Sequence, residues 1–271
     1  MKLKNYIAGQ WIEGSGNEIP LYNAVNGELV AISDTEGIDF ESALHYGRTV
    51  GYKNLSSMTF YDRGEMLKKV ALYLLERKKK YYELSYKTGA THADSWVDIE
   101  GGFGTFFTYS GLAKRMLPNT PFWVDGDTQK ISANGTFLGT HILTPSEGVS
   151  VQINAYNFPV WGMMEKLSTS LLAGVPSIVK PATPGSYLTN AVFQDMIESG
   201  ILPEGAIQLV CGEPGNILDY VQDGDSVLFT GSASTGKKLK SLPSISSNAV
   251  RFNMEADSLN CSILGLDAKP G

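Results

Sequence analysis

From residue 149 onward the chain alternates between short runs of β-type apolar residues and longer runs with helical spacing. This alternation constrains the fold more than any other feature. Strands are read at 149–153, 177–180, 206–211, 226–229 and 250–254. Helices are read between them at 159–173, 187–199, 215–221 and 235–242. Strand, helix and strand repeated at this spacing give βαβ units, hence a parallel sheet with helices on its faces. The expected fold class is α/β. Such sheets bind ligands at the carboxyl ends of their strands, so the residues just past each strand carry the functional reading.

Composition narrows the partners. The chain has 271 residues, 42% of them hydrophobic and 18% charged, enough for a substantial core. Its net charge of -6 lacks the basic surplus of a nucleic-acid binder, so no nucleic-acid partner is expected. The residues from Met1 to Trp11 hold no apolar core of a signal peptide. No stretch reaches the roughly 18 apolar residues of a membrane span. A cytoplasmic location away from membranes is expected. His45, His92 and His141 lack metal-site spacing, so no metal is expected. Cys211 and Cys261 are too few for a disulfide framework, and each sits among apolar residues.

The first third reads as mostly helical. Asp39 is placed to cap a helix through 43–50. A long helix is read over 62–87, with Met66, Leu67, Val70, Ala71, Leu74 and Leu75 at helical spacing and Gly89 as its stop. The run Arg77-Lys78-Lys79-Lys80 is read as its solvated face. A third helix over 95–113 is weakened by Gly101, Gly102 and Gly104. The segment 123–144 is turn-rich, and Asn134-Gly135 predicts a hairpin. The Asn-x-Ser/Thr patterns at Asn134 and Asn260 are read as chance matches.

Five strand ends hold chemistry-bearing residues. After the first strand comes Asn154-Ala155-Tyr156-Asn157-Phe158-Pro159, with Pro159 suited to the first turn of a helix. Asn157 either shapes this turn or donates its amide to a developing oxyanion. Lys180 ends the second strand, as an exposed lysine or as a ligand for a ribose or phosphate. Cys211-Gly212-Glu213-Pro214-Gly215 follows the third strand, and no G-x-G-x-x-G fingerprint occurs anywhere. Thr230 to Lys238 follows the fourth. This Gly/Ser/Thr segment enters a helix, where backbone N–H groups can meet a phosphate or simply form a turn. It nearly matches a P-loop, but Lys238 stands where the magnesium-binding Ser or Thr belongs. After the fifth strand, Glu255 is a general base or a solvated acid.

Taken in order, Asn157-Phe158-Pro159, Lys180-Pro181-Ala182, Phe229-Thr230-Gly231-Ser232 and Glu255 resemble the aldehyde dehydrogenase superfamily over essentially the whole chain. The stretches Thr88-Gly89-Ala90-Thr91, Asp94–Gly102 and Met254–Cys261 resemble the dehydrogenase part of the bifunctional ring-opening enzymes of bacterial phenylacetate degradation. The resemblance implies a Rossmann-type parallel sheet with flanking helices over 147–256. It implies an N-terminal, mainly helical part over 1–122 and an oligomerisation-type β-hairpin over 123–146. The stretch 257–271 would begin a catalytic domain.

The resemblance also implies roles. Asn157 would be the oxyanion amide and Glu255 the base that activates water. Ile153, Asn154, Ala155, Lys180, Ala182, Thr183, Gly212, Thr230, Gly231, Ser232 and Thr235 would hold the cofactor. A homo-oligomer and a CoA-thioester aldehyde substrate follow from the same likeness. Thr183 stands where many members have a ribose-gripping glutamate, which favours NADP over NAD, since a carboxylate would repel a 2′-phosphate. Ala256-Asp257-Ser258 replaces the usual Gly-Gly and would narrow the nicotinamide path. The family's nucleophilic cysteine lies well downstream of its glutamate in a Gly-Gln-x-Cys context, which neither Cys211 nor Cys261 matches. On this reading the chain is a cofactor-binding fragment, expected to be inactive alone. The alternative is a non-catalytic nucleotide-binding or subunit-pairing module.

Overall fold

The computed structural model of the chain describes residues 1–258, 261 and 263–267. The Asn260 pattern and most of the segment 257–271 beyond Ser258 lie wholly or partly outside the described residues.

The N-terminal part begins with strands. β1 (Asn5–Ile7) and β2 (Gln10–Ile12) form a hairpin, and β3 (Ile19–Tyr22) pairs with β4 (Leu29–Ser33). This differs from the mostly helical expectation for the first third. The reason is local: Ala8 and Gly9 both have positive φ, of 48° and 77°, which makes the tight turn between β1 and β2. Helices follow from residue 40.

α1 (Phe40–Tyr46) starts at Asp39, whose carboxylate accepts the Ser42 N–H at 2.9 Å. α2 (Tyr52–Ser56) leads to α3 (Phe60–Leu75), which opens on a Thr59/Asp62 capping box. The expected 62–87 helix breaks at Arg77, and α4 (Lys78–Ser85) restarts beyond it. Gly89 closes that region with a φ of 89°. α5 (His92–Trp96), a π-helical turn at Val97–Gly101 and α6 (Gly102–Met116) then run on continuously. Two of the glycines that weakened the sequence reading, Gly101 and Gly102, have a packing purpose: a Cβ on Gly101 would stand 2.3 Å from the Trp161 ring.

Next, β5 (Trp123–Val124) pairs with β8 (Ile142–Leu143), and β6 (Gln129–Lys130) with β7 (Leu138–Gly139). The two-tier hairpin turns at Gly135, φ 72°, and leaves Trp123, Ile131, Phe137 and Ile142 exposed.

The rest is the predicted βαβ core: β9 (Ser150–Ile153), α7 (Pro159–Leu172), β10 (Ser177–Lys180), α8 (Ser186–Glu198), β11 (Ile207–Leu209), β12 (Ser226–Gly231), α9 (Ala233–Lys240), α10 (Pro243–Ser246) and β13 (Arg251–Ala256). The main sheet has the order β13-β12-β9-β10-β11-β1-β2 among the described residues. Its first five strands are parallel, and β1 and β2 extend it antiparallel. Successive strand residues face opposite sides. On β10, Val179 joins the core under α3, α6, α7 and α8, whereas Ile178 joins the core under α1 and residues 217–221. The chain runs outward from β9 to β11, then returns to lay β12 on the other flank of β9. That reversal opens a crevice at the carboxyl ends of β9 and β12, where open α/β sheets bind ligands.

Candidate active site

The crevice is lined from both sides. Ala155 and Asn157, past β9, share a cavity of about 260 Å³ with Thr230 of β12 and Glu255 of β13. Val97, Phe158, Trp161 and Glu165 complete its wall. A neighbouring cavity of about 590 Å³ shares Ala155, Asn157, Thr230 and Glu255 and adds Asn154, Ala182, Gly231, Ser232 and Thr235. A third, of about 400 Å³, is lined by Ile153, Lys180, Thr235 and the apolar residues Pro214, Leu218, Leu239 and Leu242.

The turn carrying Asn157 is built for α7. Pro159 opens the helix, its fixed φ suited to the first turn. No side chain of the turn caps it. The buried carboxylate of Asp98 does so instead, accepting the N–H groups of Val160 at 3.0 Å and Trp161 at 2.8 Å. Burial pushes the Asp98 carboxyl up to about 7, against the downward pull of those two N–H groups. The Asn157 amide is exposed, with no hydrogen-bond partner among the described residues.

On the opposite side Glu255 faces Thr230 across the β12–β13 pairing. The Thr230 hydroxyl donates to Glu255 Oε2 at 3.0 Å and orients an otherwise exposed carboxylate. Asn154 is 4% exposed, and neither its amide nitrogen nor its oxygen has a partner. A buried polar group in that state calls for one from a ligand or water.

Lys180 is buried, contrary to the plain reading of an exposed lysine. Burial lowers its pKa, opposed by the charges of Glu213 and Cys211. Its ammonium has no hydrogen-bond partner among the described residues.

At the entrance to α9, Ser232 caps the helix by accepting the Thr235 N–H at 3.3 Å. β12 runs to Gly231 and α9 begins at Ala233, so a single residue separates them. That leaves no room for a P-loop's long phosphate cradle. Asp257, with a φ of 59°, accepts the Ala233 N–H at 3.0 Å and lines the 590 Å³ cavity. Its side chain therefore lies across the helix N-terminus.

Eleven of the thirteen expected site residues line these three cavities. The structure does not bring Thr183 or Gly212 into them. These two meet each other instead, the Thr183 hydroxyl donating to the Gly212 carbonyl at 3.2 Å. The cysteines divide. Cys211 is buried and its thiol is pushed up to about 12. Cys261 is exposed, despite its apolar sequence neighbours. Sequence reasoning missed Asp98, Glu165 and the apolar slot of Leu218, Leu239 and Leu242. Asp98, Glu165, Leu218 and Leu239 come from helical segments whose local pattern signals packing rather than chemistry, and Leu242 from the bend between α9 and α10.

A doubly wound α/β sheet with an amide and a carboxylate facing one crevice at its switch point has the architecture of a Rossmann-type domain, a class whose members bind ligands at such crevices. The chain belongs to the aldehyde dehydrogenase family, which it matches over residues 11–269. It is 41% identical to a 3,4-dehydroadipyl-CoA semialdehyde dehydrogenase from Aromatoleum evansii, over 100% of this chain and 53% of that protein. It is 29% identical to a betaine aldehyde dehydrogenase from Bacillus subtilis (strain 168), over 97% of this chain and 52% of that protein. The chain thus spans about half the length of the curated relatives it matches.

Solved structures share the fold. A 3,6-anhydro-L-galactose dehydrogenase in complex with NAP superposes with a TM-score of 0.80 at 23% identity, over 94% of this chain and 52% of the other. A betaine aldehyde dehydrogenase from Staphylococcus aureus in complex with NAD+ gives 0.80 at 24%, over 94% and 49%.

Proposed function

We propose that the chain is the cofactor-binding part of an NADP-dependent aldehyde dehydrogenase that oxidises a CoA-linked semialdehyde to its acid in aromatic catabolism, phenylacetate degradation included. The observation that carries this reading is the meeting of Asn157 and Glu255 in one cavity at the sheet's switch point. The likeness to a CoA semialdehyde dehydrogenase supports the substrate class.

The residues fit the cofactor on three counts. Lys180 offers a buried, unpartnered cation beside an apolar slot suited to an adenine ring. Asn154 offers an unpartnered buried amide. Gly231 and Ser232 line the cavity at the start of α9, whose helix dipole turns its positive end toward the pyrophosphate, with Asp257 holding the Ala233 N–H. When bound, the nicotinamide supplies the hydride acceptor. Lys180 offers a cation to a 2′-phosphate, tempered by the nearby Glu213 charge, and Thr183 brings no carboxylate against it, which supports NADP.

Asn157 donates its amide hydrogen to the aldehyde oxygen as negative charge builds there. Glu255, held by Thr230, takes a proton from the water that hydrolyses the acyl intermediate. Glu165, on the far wall, adds a second carboxylate to the cavity. The attacking thiolate is not assigned to Cys211, whose pKa is far above neutrality, nor to Cys261, which stands outside the described cavity walls. The 271-residue chain alone is therefore expected to show no turnover. The exposed apolar hairpin suits pairing between subunits of a homo-oligomer. No helix among the described residues is long and apolar enough to cross a membrane, which fits action in the cytoplasm.

The test pairs binding with turnover in the complete enzyme. NADP should bind at least about tenfold more tightly than NAD, a difference of 1.4 kcal/mol, and a CoA semialdehyde should be oxidised. Tighter NAD binding sinks the cofactor assignment. Cofactor binding with no aldehyde turnover favours the nucleotide-binding or subunit-pairing module.

A further inference from the structure

We propose that Asp98 is a positioning residue for the Asn157 amide, holding the turn that carries it against the π-helical segment between α5 and α6. The proposal rests on the reading of Asn157 as the oxyanion donor. Of the first α7 residues, Pro159 has no N–H, and the N–H of Gly162 bonds back to the Phe158 carbonyl at 2.8 Å. The N–H groups of Val160 and Trp161 remain, and both go to Asp98. One carboxylate, 62 positions earlier in the chain, thus satisfies the start of the helix. Asn157 stands two residues before Pro159, the first residue of that helix.

The surroundings are shaped to hold this contact. A π-helical turn inserts an extra residue into a helix and re-aims its side chains, frequently at functional sites. Here the turn spans Val97–Gly101 and carries Asp98. Gly101 and Gly102 let the helix start pack directly on Trp161: a Cβ on Gly102 would lie 3.1 Å from the Trp161 Cα. Val97, next to Asp98, and Trp161, which Asp98 holds, both line the cavity with Asn157. The carboxylate is 4% exposed.

No charged side chain among the described residues competes for Asp98. Burial raises its pKa, and only the two N–H groups pull it back down. On α4 and the π turn, Lys78 and Tyr82 pair with Glu100. On α5, Asp94 is engaged by Thr91 and His92 by Tyr86. On α6, Lys114 pairs with Glu65. On α7, Glu165 is held by Trp161 and Lys166. Asp98 is therefore free to serve the helix start alone.

The experiment compares Asp98→Ala, Asp98→Asn and Asn157→Ala in the complete enzyme. A displaced reacting group can cost about 10²-fold in rate. Asp98→Ala should lower kcat by about that factor while leaving the cofactor Kd within about twofold. Asp98→Asn keeps an acceptor oxygen and should recover most of the loss. Amide hydrogen exchange at Val160 and Trp161 should quicken in Asp98→Ala and much less in Asp98→Asn. A folded Asp98→Ala enzyme with wild-type kcat overturns the proposal. So does a fall in kcat matched by an equal loss of cofactor affinity, which would mean general damage. If Asp98→Ala does not fold, Asp98→Asn decides alone: kcat and exchange at Trp161 that move together, or both stay near wild type, support the proposal, and either one moving without the other overturns it. Wild-type kcat in Asn157→Ala would instead overturn the functional reading beneath it.

Discussion

The two turns that face each other across the crevice are built differently. The β9 turn rises from an inner strand flanked by β10 and β12 and leads into a largely buried helix whose start is anchored by Asp98. The β13 turn rises from the edge of the sheet. Arg251, Asn253, Met254 and Glu255 are exposed along that strand, and the main side-chain restraint on Glu255 is one hydroxyl. An inner strand is paired on both sides, whereas an edge strand leaves one row of backbone groups unpaired. The amide half of the site is therefore preorganised by this chain, and the acid half is held much more loosely.

The largest test of that contrast is catalytic. In the complete enzyme, Glu255→Gln should cut kcat by about 10²–10⁴ through the hydrolysis step, since general-base removal has that scale. Asn157→Ala should cost about 10²–10³ through the step that builds oxyanion charge. Rapid-mixing traces separate the two: a burst of reduced cofactor should survive in the first variant and vanish in the second. A burst lost in both would place both residues in the same step.

Stability supplies the next test. Leu167 on α7 is fully buried, so Leu167→Ala should cost about 2–5 kcal/mol in urea denaturation. Asn253→Ala on the exposed strand should stay within about 0.5 kcal/mol. Equal costs would erase the distinction between the two turns.

A smaller effect is expected at Asp257, whose carboxylate holds the Ala233 N–H at the α9 entrance. Asp257→Gly frees that donor and removes a like charge from the pyrophosphate's path. It should tighten dinucleotide binding roughly three- to tenfold by fluorescence titration, about 1 kcal/mol. Unchanged or weaker binding would show that the side chain does not obstruct the site.

A separate test is one of pH. Asp98 has its folded-state carboxyl raised from an ordinary value of 3.8 to about 7. Its stabilising contribution is therefore complete below about 3.8 and lost as pH rises through about 7. Across that window the wild-type chain should lose stability relative to Asp98→Asn, which does not titrate. Parallel urea midpoints from pH 4.5 to 8 would remove the raised carboxyl from the account.

The βαβ core was legible because its signals are local. The apolar runs of β9, β10 and β12 are bounded by turn residues, and Pro159 marks the start of α7. Asn157, Lys180 and Glu255 could be picked out because sheet topology ties strand ends to ligand sites. The β1–β2 hairpin was missed although Gly9 between aromatic and β-branched residues was a usable signal, because three-residue strands have too little alternation to register. The long helix was drawn through Arg77 because charge and apolar spacing continue across the break. Asp98 was beyond reach: its partners lie on another helix, and no periodicity links a carboxylate to N–H groups so distant in sequence.

The β1–β2 hairpin also sets the order in which the molecule can be completed. Tyr6 pairs with Leu209, Asn5 accepts the Cys211 N–H at 2.7 Å, and Gln208 accepts the Ala8 N–H at 2.9 Å. During synthesis β1 must wait for the β11 segment before it can join the parallel strands. Until then β1 has only β2 as a partner, and seating the hairpin closes the longest loop in the sheet among the described residues, at an entropic cost that grows only slowly with loop length.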